Sequence, residues 1–123
     1  MSRELDVRTL SEAVIAVHPA IGRLSKLTGA DAVLLFGSRA RGDYTDESDW
    51  DIFVILPDEV ELGKFNSVSL WKALADLGIA LQVIPVRCSV FEVKRNDINS
   101  LSHDAYRDGI VLRGSLAEAL REF

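Results

Sequence analysis

The stretch that decides the fold is residues 32–56, AVLLFGSRARGDYTDESDWDIFVIL. It begins with Ala32–Phe36, a continuous apolar run of strand length that ends at a glycine. A polar loop from Arg41 to Ser48 follows, and a second apolar run, Trp50–Leu56, ends at a proline. Continuous apolar runs of this length are typical of strands that are buried on both faces. The sequence therefore predicts two buried strands joined by a polar connection.

Two carboxylates open the second of these strands. Side chains alternate between faces along a strand, so Asp49 and Asp51 are expected to point the same way, with Trp50 opposite. Two such charges about 4–5 Å apart repel by roughly 3–4 kcal/mol at an effective dielectric near 20, and the pair then needs a cation, a proton or an arginine. Oxygen ligands of this kind suit Mg²⁺, which takes further ligands from water and substrate phosphates. A polar, solvent-exposed strand entrance is the alternative interpretation.

The turn after the first strand has a chemistry of its own. Gly37 allows the backbone to turn tightly and a phosphate to approach its N–H groups, and the Ser38 hydroxyl can donate to a phosphate oxygen. Arg39 and Arg41 place two cations where an anion would arrive. An ordinary turn, with both arginines paired to nearby acids, would explain these residues taken alone. Combined with Asp49 and the strand after it, the turn predicts a site for a polyphosphate held on a cation.

This combination also carries a family resemblance. Gly37-Ser38, then residues 39–48, then Asp49-Trp50-Asp51, with an apolar strand on each side, resembles the signature of the DNA polymerase β-like nucleotidyltransferase superfamily. The strings Phe36–Asp43 and Ser48–Val54 are similar to its minimal nucleotidyltransferase branch of antitoxin-like domains, and Ala105–Leu112 also resembles the family. The order of elements predicts a small sheet with helices mainly on one face. The resemblance implies an α/β (α+β) nucleotidyltransferase fold with a mixed sheet, here a single domain over residues 1–123.

The resemblance also implies an activity and its residues. In the family, the Gly-Ser turn binds a nucleoside triphosphate, and the two aspartates carry Mg²⁺ (or Mn²⁺) ions that stabilise the in-line displacement of pyrophosphate. The positions that match are the nucleotide-binding candidates Gly37, Ser38, Arg39 and Arg41, and the catalytic and metal-binding candidates Asp49 and Asp51.

The third strand departs from the family pattern. Active members place a third carboxylate there, which helps to bind the catalytic metal and accepts the proton of the attacking hydroxyl. The corresponding strand, Ile79–Val86, has Gln82 as its polar residue between apolar neighbours. A neutral amide cannot act as a general base at neutral pH. Glu92 could replace the missing acid only through a chain reversal, and Asp76 is expected to be solvated.

Two functions follow from this departure. One is the transfer of a nucleoside monophosphate, AMP from ATP, to a hydroxyl on a small all-helical HEPN-type toxin partner. The other is a catalytically degenerate antitoxin module that binds nucleotide or partner without turnover. The sequence also leaves open an oligomeric scaffold that is indifferent to nucleotide, and it fixes neither the acceptor nor a homo-oligomeric state.

Composition restricts the partners. The net charge of −5 and the pI near 5.0 argue against a broad nucleic-acid surface, whereas a nucleotide held through a metal is compatible with them. The single cysteine, Cys88, excludes an internal disulfide and is expected to be a buried or half-buried thiol. Neither a signal peptide nor an apolar run of membrane-spanning length is present in the sequence, which predicts a cytoplasmic protein.

The rest of the chain completes the α/β pattern. Pro19 is expected to break or kink the first, amphipathic helix. Trp71 lies at helical spacing and is expected in the core, so Tyr44 is the better candidate for stacking on a base. His18 and His103 lack the spacing of a zinc site. The remaining predicted elements are a helix over Phe65–Leu77, a helix over Asn96–Arg107 capped by Asn96 or Asp97, a strand at Ile110–Leu112 and a helix over Leu116–Arg121.

Overall fold

The computed structural model describes residues 7–61 and 63–120, with the backbone alone for residues 7–14, 118 and 119. The strands are Ala32–Phe36 (β1), Trp50–Leu56 (β2), Leu81–Arg87 (β3) and Ile110–Gly114 (β4). The helices are Val7–Thr28 (α1), Ser38–Arg41 (α2), Ser67–Leu74 (α3), Cys88–Lys94 (α4), Leu101–Asp108 (α5) and Leu116–Leu120 (α6). A 3-10 turn, Ala75–Leu77, continues α3.

The four strands form a mixed sheet in the order β3-β2-β1-β4. β1 is antiparallel to both of its neighbours, whereas β2 and β3 are parallel. The two central places belong to β1 and β2, whose residues are almost all apolar and buried. Only a strand that is covered on both faces tolerates such a composition. The parallel pairing of β2 with β3 requires a crossover connection, and α3 lies in it.

Helices pack against both faces of the sheet. On one face, α1 and α3 contribute buried residues such as Leu24 and Leu70. On the other face, α4, α5 and α6 contribute Phe91, Ala105 and Leu120. The mixed-sheet α/β architecture predicted from the sequence is confirmed, but the helices are not mainly on one face. The reason is that β1 and β2 present apolar side chains alternately to both faces, and each set requires cover.

Pro19 does not end the first helix. α1 runs without interruption from Val7 to Thr28 with Pro19 inside it. Proline in a helix interior removes one hydrogen bond and costs about 3 kcal/mol, but the Pro19 side chain is exposed, while Val17, Ala20 and Leu24 are buried against the sheet. Their burial outweighs the lost bond. None of the helices in residues 7–61 and 63–120 is both long and apolar enough to cross a bilayer.

The region after β3 also differs from the sequence prediction. Residues Cys88–Lys94 form a helix that the sequence did not predict, because its β-branched residues and uncapped start give no local signal. Its packing provides the reason: Phe91 is fully buried and Cys88 is buried beside it. The next helix, α5, begins at Leu101 and is capped by the Ser100 side chain, which accepts from the His103 N–H, rather than by Asn96 or Asp97.

Phe53 offers a test of the second core. Its ring lies 5.6 Å from the ring centroids of both Phe36 and Phe91 and is fully buried. Truncation to alanine leaves a cavity in a packed layer, so Phe53→Ala is expected to lower the free energy of unfolding by about 3–5 kcal/mol, as measured by urea denaturation. Ile98→Ala, at a side chain that is 75% exposed, is the control and should change it by less than about 0.5 kcal/mol. A small effect of Phe53→Ala would contradict this packing.

Candidate active site

The strand register brings three residues of the motif side by side. Phe36, the last residue of β1, is paired with Asp51, and Asp51 is paired with Gln82 on the other side. Trp50 and Ile52 point into the core under α1 and α3, so Asp51 lies on the opposite face of β2. The candidate site therefore lies on the face of the sheet that α4 and α5 cover further along, at the end where β2 and β3 begin.

Gly37 brings the turn directly against Asp51. The backbone of Gly37 has φ 72° and ψ −157°, a conformation that side chains rarely adopt. A Cβ atom at this position would overlap the carboxylate of Asp51. The Gly37 carbonyl accepts hydrogen bonds from the N–H groups of Ala40 and Arg41 at 3.1 Å, which fixes the direction in which α2 leaves the turn. Consequently α2 begins, at Ser38, close to Asp51 of β2.

The electrostatics of the site are those of uncompensated negative charge. Burial, and then the neighbouring charge of Asp49, raise the pKa of Asp51, while Arg41 lowers it by a smaller effect. Asp49 is exposed, immediately before β2. Among the described residues, neither carboxylate forms a hydrogen bond or an ion pair. Two oxygen ligands close together, one of them half-buried and short of positive charge, form a donor set that suits a hard divalent cation.

Arg39 has a different role from the one that the sequence predicted. Its side chain is buried, with 8% exposed, and its guanidinium lies between two aromatic rings, 4.5 Å from the centroid of Tyr44 and 4.3 Å from that of Trp50. Its Nε and one terminal nitrogen donate to the Ser48 carbonyl at 3.3 and 3.1 Å. Because Trp50 points away from Asp51, Arg39 is also directed away from the acid face. Arg39 therefore links the turn after β1 to the loop at Ser48 and does not face the position expected for a phosphate.

Ser38 and Arg41 remain directed toward solvent near the acids. Arg41 is exposed, its Nε lies 3.4 Å from Asp43, and its charge reaches Asp51, whose pKa it lowers. Within the described part of the chain, the Ser38 side chain has no hydrogen-bond partner. The Ser38 hydroxyl is therefore available to an anion that arrives beside the carboxylates, and Arg41, paired with Asp43, adds its positive charge nearby.

Gln82 occupies the place next to Asp51 where a third carboxylate would stand. The parallel register pairs the two residues, and the Gln82 side chain is exposed. In residues 7–61 and 63–120, the structure contains no group of three or more His, Cys, Asp or Glu side chains that could hold a metal. Glu92 lies on α4, beyond the opposite end of β3. Asp76 forms a salt bridge with Arg23 at 2.5 Å. Neither acid compensates for Gln82.

The remaining sequence candidates lie elsewhere. Cys88 is buried, as expected. His18 is exposed on α1, and the His103 ring nitrogen lies 2.8 Å from the Arg95 carbonyl. Trp71 is not in the core, contrary to expectation, because it lies on the outer side of α3 and half of its surface is exposed. Tyr44, the expected stacking residue, stacks on Arg39.

Sequence reasoning missed two features of this region. The first is the aromatic clamp on Arg39, and the second is the exposure of Trp71 beside β3. The helical spacing of Trp71 gave the wrong signal, since that spacing does not say which residues beyond the helix are present to cover it. No local pattern could have shown that Arg39 reaches the Ser48 carbonyl.

Comparisons with known proteins identify the family and the fold of this chain. The family model described as "Polymerase beta, Nucleotidyltransferase" matches residues 21–115. A candidate nucleotidyltransferase from Sulfolobus solfataricus, at 18% identity, superposes with a TM-score of 0.51 over 92% of this chain and 93% of its own. A toxin–antitoxin complex crystallised with AMP-PNP, at 18% identity, gives 0.54 over 82% and 76%. The toxin–antitoxin MntA–HpeT gives 0.46 at 17% identity over 94% and 78%. No curated protein matches the sequence.

Gly37 and Gly42 provide a matched test of the close approach. Both have positive φ, but a Cβ at Gly42 would meet open space, whereas one at Gly37 would overlap Asp51. Each alanine is expected to cost about 1–2 kcal/mol for its backbone conformation. Gly37→Ala should lower the free energy of unfolding by about a further 1–3 kcal/mol, as measured by urea denaturation. Equal effects of the two substitutions would show that the turn does not abut Asp51.

The raised pKa of Asp51 predicts that the stability of the protein depends on pH in metal-free buffer. Because its folded pKa lies above the unfolded value, the stability that this group contributes is fully present below that unfolded value, about pH 4, and is lost as the pH rises through the folded pKa. Asp51→Asn removes the buried charge and should therefore raise the free energy of unfolding at pH 7, with a smaller gain at pH 4.

The measurement is urea denaturation in EDTA at the two pH values. Asp46→Asn, at an exposed acid in the loop, is the charge-matched control and should have little effect at either pH. If Asp51→Asn destabilises the protein more at pH 7 than at pH 4, the charge of Asp51 does not oppose folding.

Proposed function

Because the chain belongs to the polymerase β nucleotidyltransferase family, we propose that it transfers a nucleoside monophosphate, AMP from ATP, to a hydroxyl of a protein partner in the presence of Mg²⁺ or Mn²⁺. The observation that carries this proposal is the apposition of Gly37 and Asp51. It supports a single site formed by the Gly37-Ser38 turn and the carboxylates of Asp49 and Asp51. The family membership expected from the motif is confirmed, and the substrates are the proposed part.

The proposed cation ligands are Asp49 and Asp51, with the amide oxygen of Gln82 beside them. Burial and the nearby charge of Asp49 raise the pKa of Asp51. The charged pair is therefore costly without a cation, and its oxygen donors fit a divalent one. When bound, the cation would neutralise the carboxylates and the triphosphate and would polarise the α-phosphate. The protein's own contribution is to hold the two acids at one end of a rigid central strand.

The triphosphate would lie against the turn. The Gly37 position has no Cβ, so its backbone can approach a phosphate closely, and the Ser38 hydroxyl can donate to a phosphate oxygen. Arg41 supplies a positive charge that already reaches Asp51. Arg39 supports this site indirectly, because its bonds to the Ser48 carbonyl hold the chain just before Asp49.

The chemical step would proceed with little help from a general base. The acceptor oxygen would form a bond to the α-phosphorus, the bond to the bridging oxygen would break, and pyrophosphate would leave. The acceptor proton would pass to water, since Gln82 next to Asp51 cannot accept it. We therefore expect slow transfer. The same observation favours a second candidate function, that of a degenerate module that binds nucleotide or partner without turnover.

The choice of donor and acceptor rests on one comparison. One structure of similar fold is a toxin–antitoxin complex crystallised with AMP-PNP. We accordingly propose ATP as the donor, a small all-helical HEPN-type toxin as the partner and an antitoxin role for this chain. We also propose that residues 1–123 act as a single domain in the cytoplasm, where ATP is available and the lone Cys88 stays reduced.

Labelled ATP tests the enzymatic proposal. The chain is incubated with α-labelled ATP, Mg²⁺ or Mn²⁺ and the co-expressed partner, and label on the partner is quantified. Asp49→Asn or Asp51→Asn should reduce the initial rate by at least about a hundredfold, whereas Asp46→Asn should leave it within about twofold. Gln82→Asp should raise the rate by about tenfold or more, because it supplies an acceptor for the hydroxyl proton.

Calorimetry with Mg²⁺ and ATP separates the two functions. Nucleotide binding that depends on Asp49 and Asp51, without label on the partner even in Gln82→Asp, would favour the binding module. If ATP does not bind in the presence of either cation, the transfer and the nucleotide-binding form of the module are both wrong.

A further inference from the structure

Asp49 and Asp51 are held in place by different means. Asp51 lies within the sheet, paired with Phe36 on one side and with Gln82 on the other. The parallel pairing of β2 with β3 begins only at Trp50, so Asp49 lies outside the ladder. Among the described residues, the Asp49 carboxylate forms neither a hydrogen bond nor an ion pair. The sheet therefore fixes one of the two proposed cation ligands, and another contact has to set the direction of the second.

Hydrogen bonds fix the peptide groups on both sides of Asp49. The Ser48 carbonyl, in the peptide group before it, accepts from Nε and one terminal nitrogen of Arg39 at 3.3 and 3.1 Å. The Trp50 N–H, in the peptide group after it, donates to the Ala80 carbonyl at 2.8 Å. Because each peptide group is planar, these bonds together restrict φ and ψ of Asp49, and with them the direction in which its side chain leaves the backbone.

The loop that carries Ser48 is bonded largely within itself. The Ser48 N–H donates to the Thr45 carbonyl at 3.1 Å, and the Thr45 N–H donates to the Ser48 hydroxyl at 3.0 Å. A cavity of about 630 Å³ is lined by Ser48 and its neighbours in the loop and also by Ala16 and Ile79. The loop therefore does not pack directly on α1 at this point, and the buried side chain of Arg39 anchors its Ser48 end.

The planar guanidinium of Arg39 suits this task. It lies between the rings of Tyr44 and Trp50, which hold its plane, and two of its nitrogens then reach a single carbonyl oxygen. A lysine would keep the charge, but it has no plane to hold between two rings and no fork of paired donors. The charge itself is less important for the acids, since Arg41 is the arginine that lowers the pKa of Asp51.

We propose that Arg39 is a positioning residue for the cation and that it acts through Asp49. Held by its two aromatic neighbours, Arg39 fixes the Ser48 carbonyl and so directs the Asp49 carboxylate toward the ion that Asp51 also binds. Groups that orient a metal ligand without touching the metal typically change its affinity by about 10–100-fold. This inference rests on the proposed function for the presence of the cation. It assigns the affinity for that cation to an arginine that contacts neither metal nor phosphate.

Two other roles for Arg39 fit the structure less well. A direct contact with phosphate is unfavourable, because both faces of the guanidinium are covered and the side chain is directed away from Asp51. A contribution to stability alone is the other role, and Arg23 provides the comparison for it. Arg23 likewise joins two elements, donating to the Ala73 carbonyl at 3.0 Å and pairing with Asp76, on the α1 and α3 side of the sheet.

The test measures the Mn²⁺ dissociation constant by calorimetry without nucleotide, with urea denaturation to verify that each variant is folded. Arg39→Lys should weaken Mn²⁺ binding by about tenfold or more, whereas Arg23→Lys should leave it within about twofold. Tyr44→Leu, which removes one of the two rings, should weaken it in the same direction. In the Asp49→Asn background, the addition of Arg39→Lys should weaken Mn²⁺ binding by less than about twofold, because the ligand through which Arg39 acts is already lost.

Amide hydrogen exchange provides a second readout, which needs no metal. Arg39→Lys should accelerate exchange of the Trp50 N–H by about tenfold and leave that of Phe53, in the middle of β2, unchanged. If Asp49→Asn binds Mn²⁺ too weakly for the comparison, unchanged exchange at Trp50 in Arg39→Lys overturns the inference.

The inference and the proposed function fail in different ways. An unchanged Mn²⁺ constant in folded Arg39→Lys, or an equal loss with and without the Asp49 carboxylate, would overturn the positioning role and leave the proposed function intact. If the unaltered chain binds neither Mg²⁺ nor Mn²⁺, with or without ATP, the proposed function and this inference fail together.

Discussion

The close approach of Gly37 to the Asp51 carboxylate is the constraint on which the site depends. It follows from the antiparallel register of β1 and β2, in which Phe36 lies opposite Asp51, so the chain has to turn within van der Waals distance of that acid. A residue with a side chain would force the two strands apart or rotate the turn away. The backbone of Gly37 also sets where α2 begins, and hence where Ser38 and Arg41 lie. Because Gly37 has no Cβ atom, the turn can lie directly against Asp51 on β2.

The charges around this constraint are unevenly distributed. Burial, and then the charge of Asp49, raise the pKa of Asp51, and Arg41 is the arginine of the turn whose charge lowers it. Arg39 is withdrawn to the other side of β2, where two aromatic rings and the Ser48 carbonyl hold it. A second arginine beside the acids would have neutralised them internally. Its absence from that face leaves the carboxylates available to a cation, at some expense in stability without one.

Gln82 limits the chemistry that is proposed for the site. The parallel register of β2 and β3 places Gln82 next to Asp51. A carboxylate at this position would bind a cation and accept a proton. An amide does neither well, but it can donate and accept hydrogen bonds without adding negative charge.

Several features could be predicted from the sequence because they depend on neighbours along the chain. The local patterns are the apolar runs of β1 and β2, the polar loop between them and the Gly37-Ser38 turn before Asp49 and Asp51. The family membership of the chain, which these patterns indicated, is confirmed. The side-by-side placement of Asp51 and Gln82 was implied by resemblance, and the parallel pairing of β2 and β3 provides its physical basis.

Only the tertiary structure decided the rest, since it depends on contacts between distant segments. The uninterrupted α1 through Pro19 and the helix at Cys88–Lys94 both form because apolar residues within them are buried against the sheet. The aromatic rings around Arg39 come from a loop and a strand that periodicity does not relate to α2. Trp71 has the spacing of a core residue, yet it is exposed because β3, the strand beneath it, is the edge of the sheet.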